Sequence, residues 1–144
     1  MSQLIKYSVS FIMLIAFIVP LQSCNDNNNQ IPFVTVDAYV NITLPSNQAL
    51  QSVGGWVYFN GGSKGLIIYR KSIDEFVAYE RHATYLPENN CYVEVNPDYV
   101  TCKDICTEST YLLFDGTVSQ GPAVVPLKQY QTSFDGAIYV HVFN

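Results

Sequence analysis

The chain has little positive charge, and little charge of any kind. Lysine and arginine number 7 in 144 residues, against 12 aspartates and glutamates, and charged residues make up 13% of the sequence. No stretch gathers the basic side chains into the stripe that a nucleic acid backbone or an anionic membrane surface attracts. Nucleic acid is therefore not an expected partner, and an anionic lipid surface is a poor one.

Helical patterning is also missing. No window longer than one turn repeats apolar residues at helical spacing, and neither an internal repeat nor a second composition regime divides the chain. Aromatic residues are plentiful instead, with 11 tyrosines and 8 phenylalanines. Low charge with many aromatic residues favours one compact β domain outside the cytoplasm.

A long apolar run lies at the N-terminus. Residues 11–19 read FIMLIAFIV after a segment with one positive charge. A transmembrane helix needs about 20 apolar residues, whereas this run has the length of a signal-peptide core. Leu21-Gln22-Ser23-Cys24 follows, which is the arrangement of a bacterial lipoprotein signal, with cleavage before Cys24 and lipid on its sulfur. An ordinary secretory signal beside an incidental cysteine is the alternative.

This processing sets the predicted domain boundaries. Residues 1–23 form the signal peptide. Residues 24–32 form a flexible tether, because the polar tract NDNNNQ cannot contribute to a core. Residues 33–144 form the folded domain. We expect the mature protein in the cell envelope, held by its lipid at the outer membrane, on the periplasmic or the exterior face.

Short strand patterns follow one another through the predicted domain. Residues 33–44 alternate apolar and polar side chains, as a half-buried strand does. A short helical turn capped by Ser46 or Asn47 is expected across residues 48–50. Turn sequences such as Asn-Gly-Gly and Asp-Gly separate further candidate strands at residues 56–59, 66–69, 76–80, 91–95, 99–102, 111–114 and 137–143. The pattern predicts an all-β sandwich or barrel.

Motifs for catalysis are weak. Residues 61–65 (Gly-Gly-Ser-Lys-Gly) lack the Walker spacing and are better explained as a hairpin turn than as a phosphate loop. Ser109 and His82 are conceivable as nucleophile and base, but no Gly-x-Ser-x-Gly elbow surrounds the serine. His141 lies on a strand face beside aromatic residues, where packing is a more common role than metal binding. We therefore expect no enzyme and no catalytic residue.

Three cysteines remain once Cys24 carries lipid. Cys102 and Cys106 have the spacing of a metal-ligand pair, and a structural zinc site would draw on Cys91, His82 or carboxylates for its other donors. In an oxidising compartment a disulfide is the better interpretation. One disulfide would leave one thiol unpaired, and the spacing leaves the pairing open.

The C-terminal half carries sequence blocks in a distinctive order. They are FVAYERHATY at 76–85, CYVEV at 91–95, CTESTY at 106–111, DGTV at 115–118, GPA at 121–123 and PLKQY at 126–130. This order resembles Rieske-type iron–sulfur domains, and more closely the Rieske-like lipoproteins of Bacteroidetes-type bacteria. The resemblance covers most of the mature chain. It implies an all-β, Rieske-like fold of two small stacked antiparallel sheets on the N-terminal lipid tether.

The resemblance also shows where the family's chemistry is missing. In Rieske domains a Cys-x-His pair and a Cys-x-x-His pair hold the two irons. The first pair falls on Ala83 and Tyr85, and the second on Asp104 and Thr107. Alanine cannot coordinate a metal, so the resemblance implies the scaffold without its cluster, and we expect no cofactor.

The resemblance further suggests a disulfide. Some Rieske domains brace the two cluster loops with one, and Cys91 and Cys106 occupy the corresponding positions. Closing that loop of about 15 residues would contribute roughly 3 kcal/mol in the chain-entropy model. Cys102 is the competing partner for Cys91.

The favoured function is therefore non-catalytic: a binding, assembly or structural accessory role at the envelope, with an envelope protein as a possible partner. Loops around residues 83–90 and 103–109 would form the tip. The candidates for partner contact there are His82, Tyr85, Asp104 and Glu108. Two alternatives stay open. One is a Rieske-type two-iron two-sulfur electron-transfer protein, and the other is a glycan-binding or hydrolytic envelope protein, suggested by the tyrosines and scattered carboxylates.

Overall fold

The computed structural model describes residues 30–144. The predicted signal peptide, the lipid site at Cys24 and tether residues 25–29 lie outside the described residues. The described chain forms ten strands: β1 Asp37–Asn41, β2 Trp56–Phe59, β3 Leu66–Arg70, β4 Phe76–Glu80, β5 Val93–Val95, β6 Thr101–Asp104, β7 Thr110–Leu112, β8 Val118–Gln120, β9 Gln129–Phe134 and β10 Tyr139–Phe143. Two short 3₁₀ helices, Pro45–Gln51 and Pro87–Asn89, complete it. Between residues 30 and 144, no helix is both long and apolar enough to span a membrane.

The strands form two antiparallel sheets. The larger has six strands in the order β1-β10-β9-β4-β3-β2, and the smaller has four in the order β5-β6-β7-β8. Neighbouring strands pair antiparallel throughout both sheets. The predicted all-β class with antiparallel sheets is confirmed.

Strand β4 connects two apolar cores, and all five of its residues are buried. Phe76 and Ala78 belong to a core that includes Leu50 of the first 3₁₀ helix. Val77 and Tyr79 face the other way, into a core shared with the four-stranded sheet. Because successive side chains of a strand point to opposite faces, one strand serves both cores. The C-terminal end of β4, at Glu80, leads directly into the first of the loops described below.

Strand β9 is a central strand that the sequence pattern did not predict. It pairs with β4 on one side and β10 on the other. Its sequence QYQTSF is mostly polar, and Tyr130 is its one fully buried residue. A short strand with so few apolar residues lacks the alternation on which the prediction depended. Strand β8 was missed for the same reason.

The helical turn after β1 exists, but its predicted cap is wrong. Leu44 is the residue before the helix, and no side chain caps the first turn. Asn47 is buried, and its side-chain amide donates to the Asn41 carbonyl at 2.8 Å. A buried amide must find a partner, and this one finds it in the preceding strand rather than in its own helix.

Candidate functional site: the loop tip

Three loops meet at one end of the four-stranded sheet, and together we call them the loop tip. They are residues 81–92 between β4 and β5, residues 105–109 between β6 and β7, and residues 121–128 between β8 and β9. The Ala123 backbone N–H donates to Ser109 Oγ at 3.0 Å, and the Thr84 hydroxyl donates to the Val125 carbonyl at 2.7 Å. The third loop is thus bonded to both of the others.

A disulfide joins the first two loops. It links Cys91 to Cys106, whose Cα atoms lie 6.0 Å apart. The pairing that the resemblance implied is confirmed. Cys102 keeps a free thiol in the core between the sheets. Burial raises the pKa of this thiol to about 12, with a smaller contribution from Asp98.

A buried carboxylate shapes the second loop. Asp104 has no exposed surface, and its Oδ1 accepts the Cys106 backbone N–H at 2.9 Å. Its Oδ2 accepts the Thr107 hydroxyl at 2.5 Å, and that hydroxyl lies 3.0 Å from Ser109 Oγ. The two positions of the second predicted ligand pair, Asp104 and Thr107, therefore bond to each other and stabilise the turn.

The residues at the four predicted ligand positions do not fit a two-iron cluster, which needs four cysteine or histidine ligands. These residues are Ala83, Tyr85, Asp104 and Thr107. Ala83 is buried and presents only a methyl group. Within the described chain, Cys91, Asp104 and Cys106 each offer one donor atom within 4.8 Å of the others. The closed disulfide removes both thiolates from that group, and Cys102 lies outside it. The zinc set considered from the sequence is therefore not assembled in the disulfide-bonded protein.

His82 is buried and pairs with a serine that the sequence did not suggest. Its Nδ1 lies 2.9 Å from Ser63 Oγ, and its Nε2 lies 2.8 Å from the Pro87 carbonyl oxygen. A carbonyl oxygen only accepts, so Nε2 donates to it. Ser109 instead accepts from the third loop, so the Ser109–His82 pair is not formed.

The glycine-rich turn between β2 and β3 closes around the carboxylate of Glu80, which has no exposed surface. Oε1 accepts the backbone N–H groups of Lys64 at 2.9 Å and His82 at 3.0 Å. Oε2 accepts the Ser63 N–H at 2.7 Å and the Tyr130 hydroxyl at 2.9 Å. Backbone N–H groups of such turns form anion sites. Here the anion is the protein's own carboxylate, which agrees with the hairpin interpretation.

Solvent exposure leaves two of the four predicted contact residues accessible to a partner. His82 and Asp104 are fully buried, so neither side chain can touch a partner in this conformation. Tyr85 is half-buried. Glu108 is exposed and lies 3.4 Å from the ammonium of Lys103, in an ion pair open to solvent. Partner contact through Tyr85 or Glu108 stays a prediction.

An exposed apolar patch was missed, which the third loop forms together with the N-terminal segment beside it. Phe33 is 77% exposed, Val124 86% and Val125 54%. Phe33 and Val125 line a groove of about 410 Å³, and Val124 precedes Val125 in the third loop. The lining residues are Gln30, Ile31, Phe33, Thr84, Pro87, Val125, Pro126 and Lys128. The only signal in the sequence is a pair of valines between two prolines, outside any strand pattern.

No protein-family model matches the sequence, and no curated protein matches it. Among solved structures, the chain is similar to the ferredoxin of carbazole 1,9a-dioxygenase from Nocardioides aromaticivorans IC177. The identity is 12% and the TM-score 0.46, over 79% of this chain and 98% of that chain. At this identity and TM-score, family and function have to be argued from the chain's own residues.

Proposed function

We propose that this protein is a lipid-anchored envelope protein whose Rieske-like domain holds no iron–sulfur cluster and serves a non-catalytic binding or structural role. The observation that carries the proposal is the state of the four positions where the resemblance puts ligands. Ala83 is buried, and Asp104 bonds to Thr107 within one turn. Tyr85 belongs to a residue type that does not hold such clusters.

The brace between the loops supports the same proposal. The Cys91–Cys106 disulfide joins the first two loops covalently, so their arrangement does not require a cluster to tie them. With both sulfurs in the disulfide and Cys102 buried in the core, no set of thiolates from residues 30–144 faces the loops. The disulfide and the hydrogen bonds with the third loop hold the loops in one arrangement, which suits a contact surface.

Optical and paramagnetic spectra test the absence of a cluster. The protein is purified anaerobically, incubated with iron and sulfide, and reduced with dithionite. We expect no visible absorption and no paramagnetic signal of the Rieske type. The matched control is the same protein with the disulfide reduced first. A Rieske-type signal from either sample would favour the electron-transfer alternative.

Metabolic labelling tests the anchor. Cells expressing the full chain are fed an alkyne fatty acid, and the membrane fraction is analysed by mass spectrometry of the N-terminal peptide. We expect label on Cys24 and its loss in Cys24→Ala. Cys102→Ala is the matched control and should keep the label. Unlabelled protein that retains residues 1–23 would contradict the anchor.

Photo-crosslinking tests the partner role of the tip. A photoreactive residue at position 85 or 108 should yield a defined protein adduct in native envelopes. The same residue at position 73 is the control, because Ile73 is 70% exposed but lies in the turn between β3 and β4 at the opposite end of those strands. Equal adducts from all three positions would argue against a contact surface at the tip.

Glycan binding is a second candidate, favoured by one observation. A groove of about 330 Å³ is lined by Tyr39, Ser133, Asp135, Tyr139 and His141. Aromatic rings beside hydroxyl and carboxylate groups are the side chains that sugars contact. Glycan-array binding that is lost in Tyr139→Ala and kept in Tyr99→Ala would support this role. Absence of binding across the array would contradict a glycan-binding role.

A further inference from the structure

We infer that the apolar patch formed by the loop tip and the adjoining N-terminal segment lies against the lipid bilayer to which the protein is anchored. This inference rests on the proposed lipid anchor at Cys24. The patch comprises Phe33 and Val125, which line the groove, and the exposed residues Leu86 and Val124, which adjoin the lining residues Pro87 and Val125 in sequence. This contact would place the loop tip at the membrane surface.

The position of the described N-terminus carries the argument. Gln30 and Ile31 line the groove. Five residues separate Cys24 from Gln30, which makes six Cα–Cα steps of at most about 3.5 Å each, so the groove lies within roughly 20 Å of the acylated cysteine. The acyl chains fix that cysteine at the edge of the hydrocarbon layer. The face that contains the groove is therefore the face held closest to the bilayer.

The chemistry of this face suits an apolar interface. Val124 is 86% exposed, Phe33 77% and Val125 54%, and an exposed apolar cluster of this kind marks an interaction surface. Among the described residues that line the groove, Lys128 is the charged one, and its ammonium lies 5.4 Å from the centre of the Phe33 ring. Glu88, which follows the lining residue Pro87 in the chain, is exposed.

A bilayer explains the pattern better than ionic attraction does. The domain is acidic overall, so a purely electrostatic hold on anionic lipid is not expected. Apolar side chains at the interface, with a lysine that reaches toward headgroups, need no net positive charge. Covalent anchoring supplies the proximity, and the patch then orients the domain.

Depth-dependent fluorescence quenching tests the orientation. The full lipidated chain with Trp56→Phe receives a single reporter, Val124→Trp, and is reconstituted into phosphatidylethanolamine vesicles whose acyl chains carry bromine. We expect a blue-shifted emission that bromine quenches. The control is Ile73→Trp in the same background, which should be quenched several-fold less. Both reporters replace exposed apolar side chains, so the fold tolerates them.

The outcomes separate this inference from the proposed function. If the N-terminal peptide lacks acyl mass and the protein stays in the supernatant, the anchor has failed, and the inference falls with it. If the acylated protein sediments with vesicles while both reporters are quenched equally little, the anchor stands and the orientation is overturned. A photoreactive residue at 124 that captures a protein in native envelopes, rather than lipid, would likewise overturn it.

Discussion

Two loop regions of this protein are held in place by different chemistry. The glycine-rich turn between β2 and β3 closes around the buried carboxylate of Glu80, which accepts four hydrogen bonds. The loop tip is joined by the Cys91–Cys106 disulfide and by hydroxyl contacts between loops. One region depends on a desolvated charge, and the other on a covalent bond.

The difference shows which region is free to take part in function. A buried carboxylate is tolerated only while its hydrogen bonds are complete, so the turn has its polar groups committed to folding. A disulfide stabilises mainly by restricting the unfolded chain, and it does not depend on hydrogen bonds from neighbouring side chains. The tip can therefore expose residues such as Tyr85, Glu108 and Val124 without loss of its shape.

Removal of the carboxylate should have the largest effect. Glu80→Ala leaves three backbone N–H groups and the Tyr130 hydroxyl without their acceptor, and we expect a loss of about 4 kcal/mol in the free energy of unfolding. Denaturant titration measures it. Glu94→Ala on β5 is the matched control, because Glu94 is exposed, and it should cost under about 0.5 kcal/mol. Similar losses in the two variants would contradict the assigned role of Glu80.

Opening the disulfide should have the next largest effect. The double variant Cys91→Ser, Cys106→Ser should lose about 3 kcal/mol of unfolding free energy, from the closed loop of 15 residues. Reduction of the wild-type protein should produce the same loss, and reductant should leave the double variant unchanged. A double variant as stable as the oxidised wild type would show that the brace contributes nothing.

Comparing alanine substitutions at two glycines tests how tightly the turn between β2 and β3 encloses the Glu80 carboxylate. Gly62 and Gly136 have φ angles of 60° and 81°, so alanine at either costs about 1 kcal/mol of strain. A Cβ at Gly62 would also overlap Glu80 Oε2, whereas at Gly136 it meets nothing within 4 Å. We expect Gly62→Ala to cost about 2 kcal/mol more than Gly136→Ala in thermal unfolding. An equal loss of stability in the two variants would mean that the turn rearranges to accommodate the added Cβ and does not enclose Glu80 tightly.

The smallest expected effect concerns Cys102 in the core behind the tip. Burial raises its thiol pKa from 9.0 to about 12, so the unfolded chain loses this proton first as the pH rises. Its contribution to stability is thus intact below pH 9 and is lost as the pH climbs toward 12. Between about pH 8 and about pH 10 the loss should be about 1 kcal/mol.

Cys102→Ala should remove this part of the pH dependence. Burial raises the pKa of Tyr79 and Tyr130 in the same direction, so these residues add a further loss at the alkaline end in both proteins. Unfolding at both pH values measures the difference between them. If the variant and the wild type lose the same stability over this range, the thiol does not titrate as assigned.

Prediction from the sequence worked where the signal is local. The alternation in β1 and the apolar pattern of β4 reflect backbone geometry that repeats every two residues, and such patterns need no knowledge of distant partners. Strand β9 was missed because most of its side chains are polar, and its place is set by pairing with β4 and β10. Register of that kind depends on neighbours that are remote in the chain.

The same distinction applies to the candidate site. The Cys91–Cys106 pairing followed from the family resemblance, since the spacing alone left Cys102 as a competitor. The acceptor role of Glu80 had no sequence signal, because one of its donors, Tyr130, is 50 residues away. The exposed valines of the third loop had none either, because exposure is a property of the packed molecule.

The sequence by itself determined the all-β class and the main turns, and it carries the prediction of a lipoprotein signal at Cys24. Each of these is written in a few adjacent residues or in the composition. Only the tertiary structure decided that His82 and Asp104 are buried and that the groove opens beside Gln30. Burial and proximity arise when the four-stranded sheet packs on the face of the six-stranded sheet that includes Val77 and Tyr79 of β4, which brings together segments that no local pattern connects.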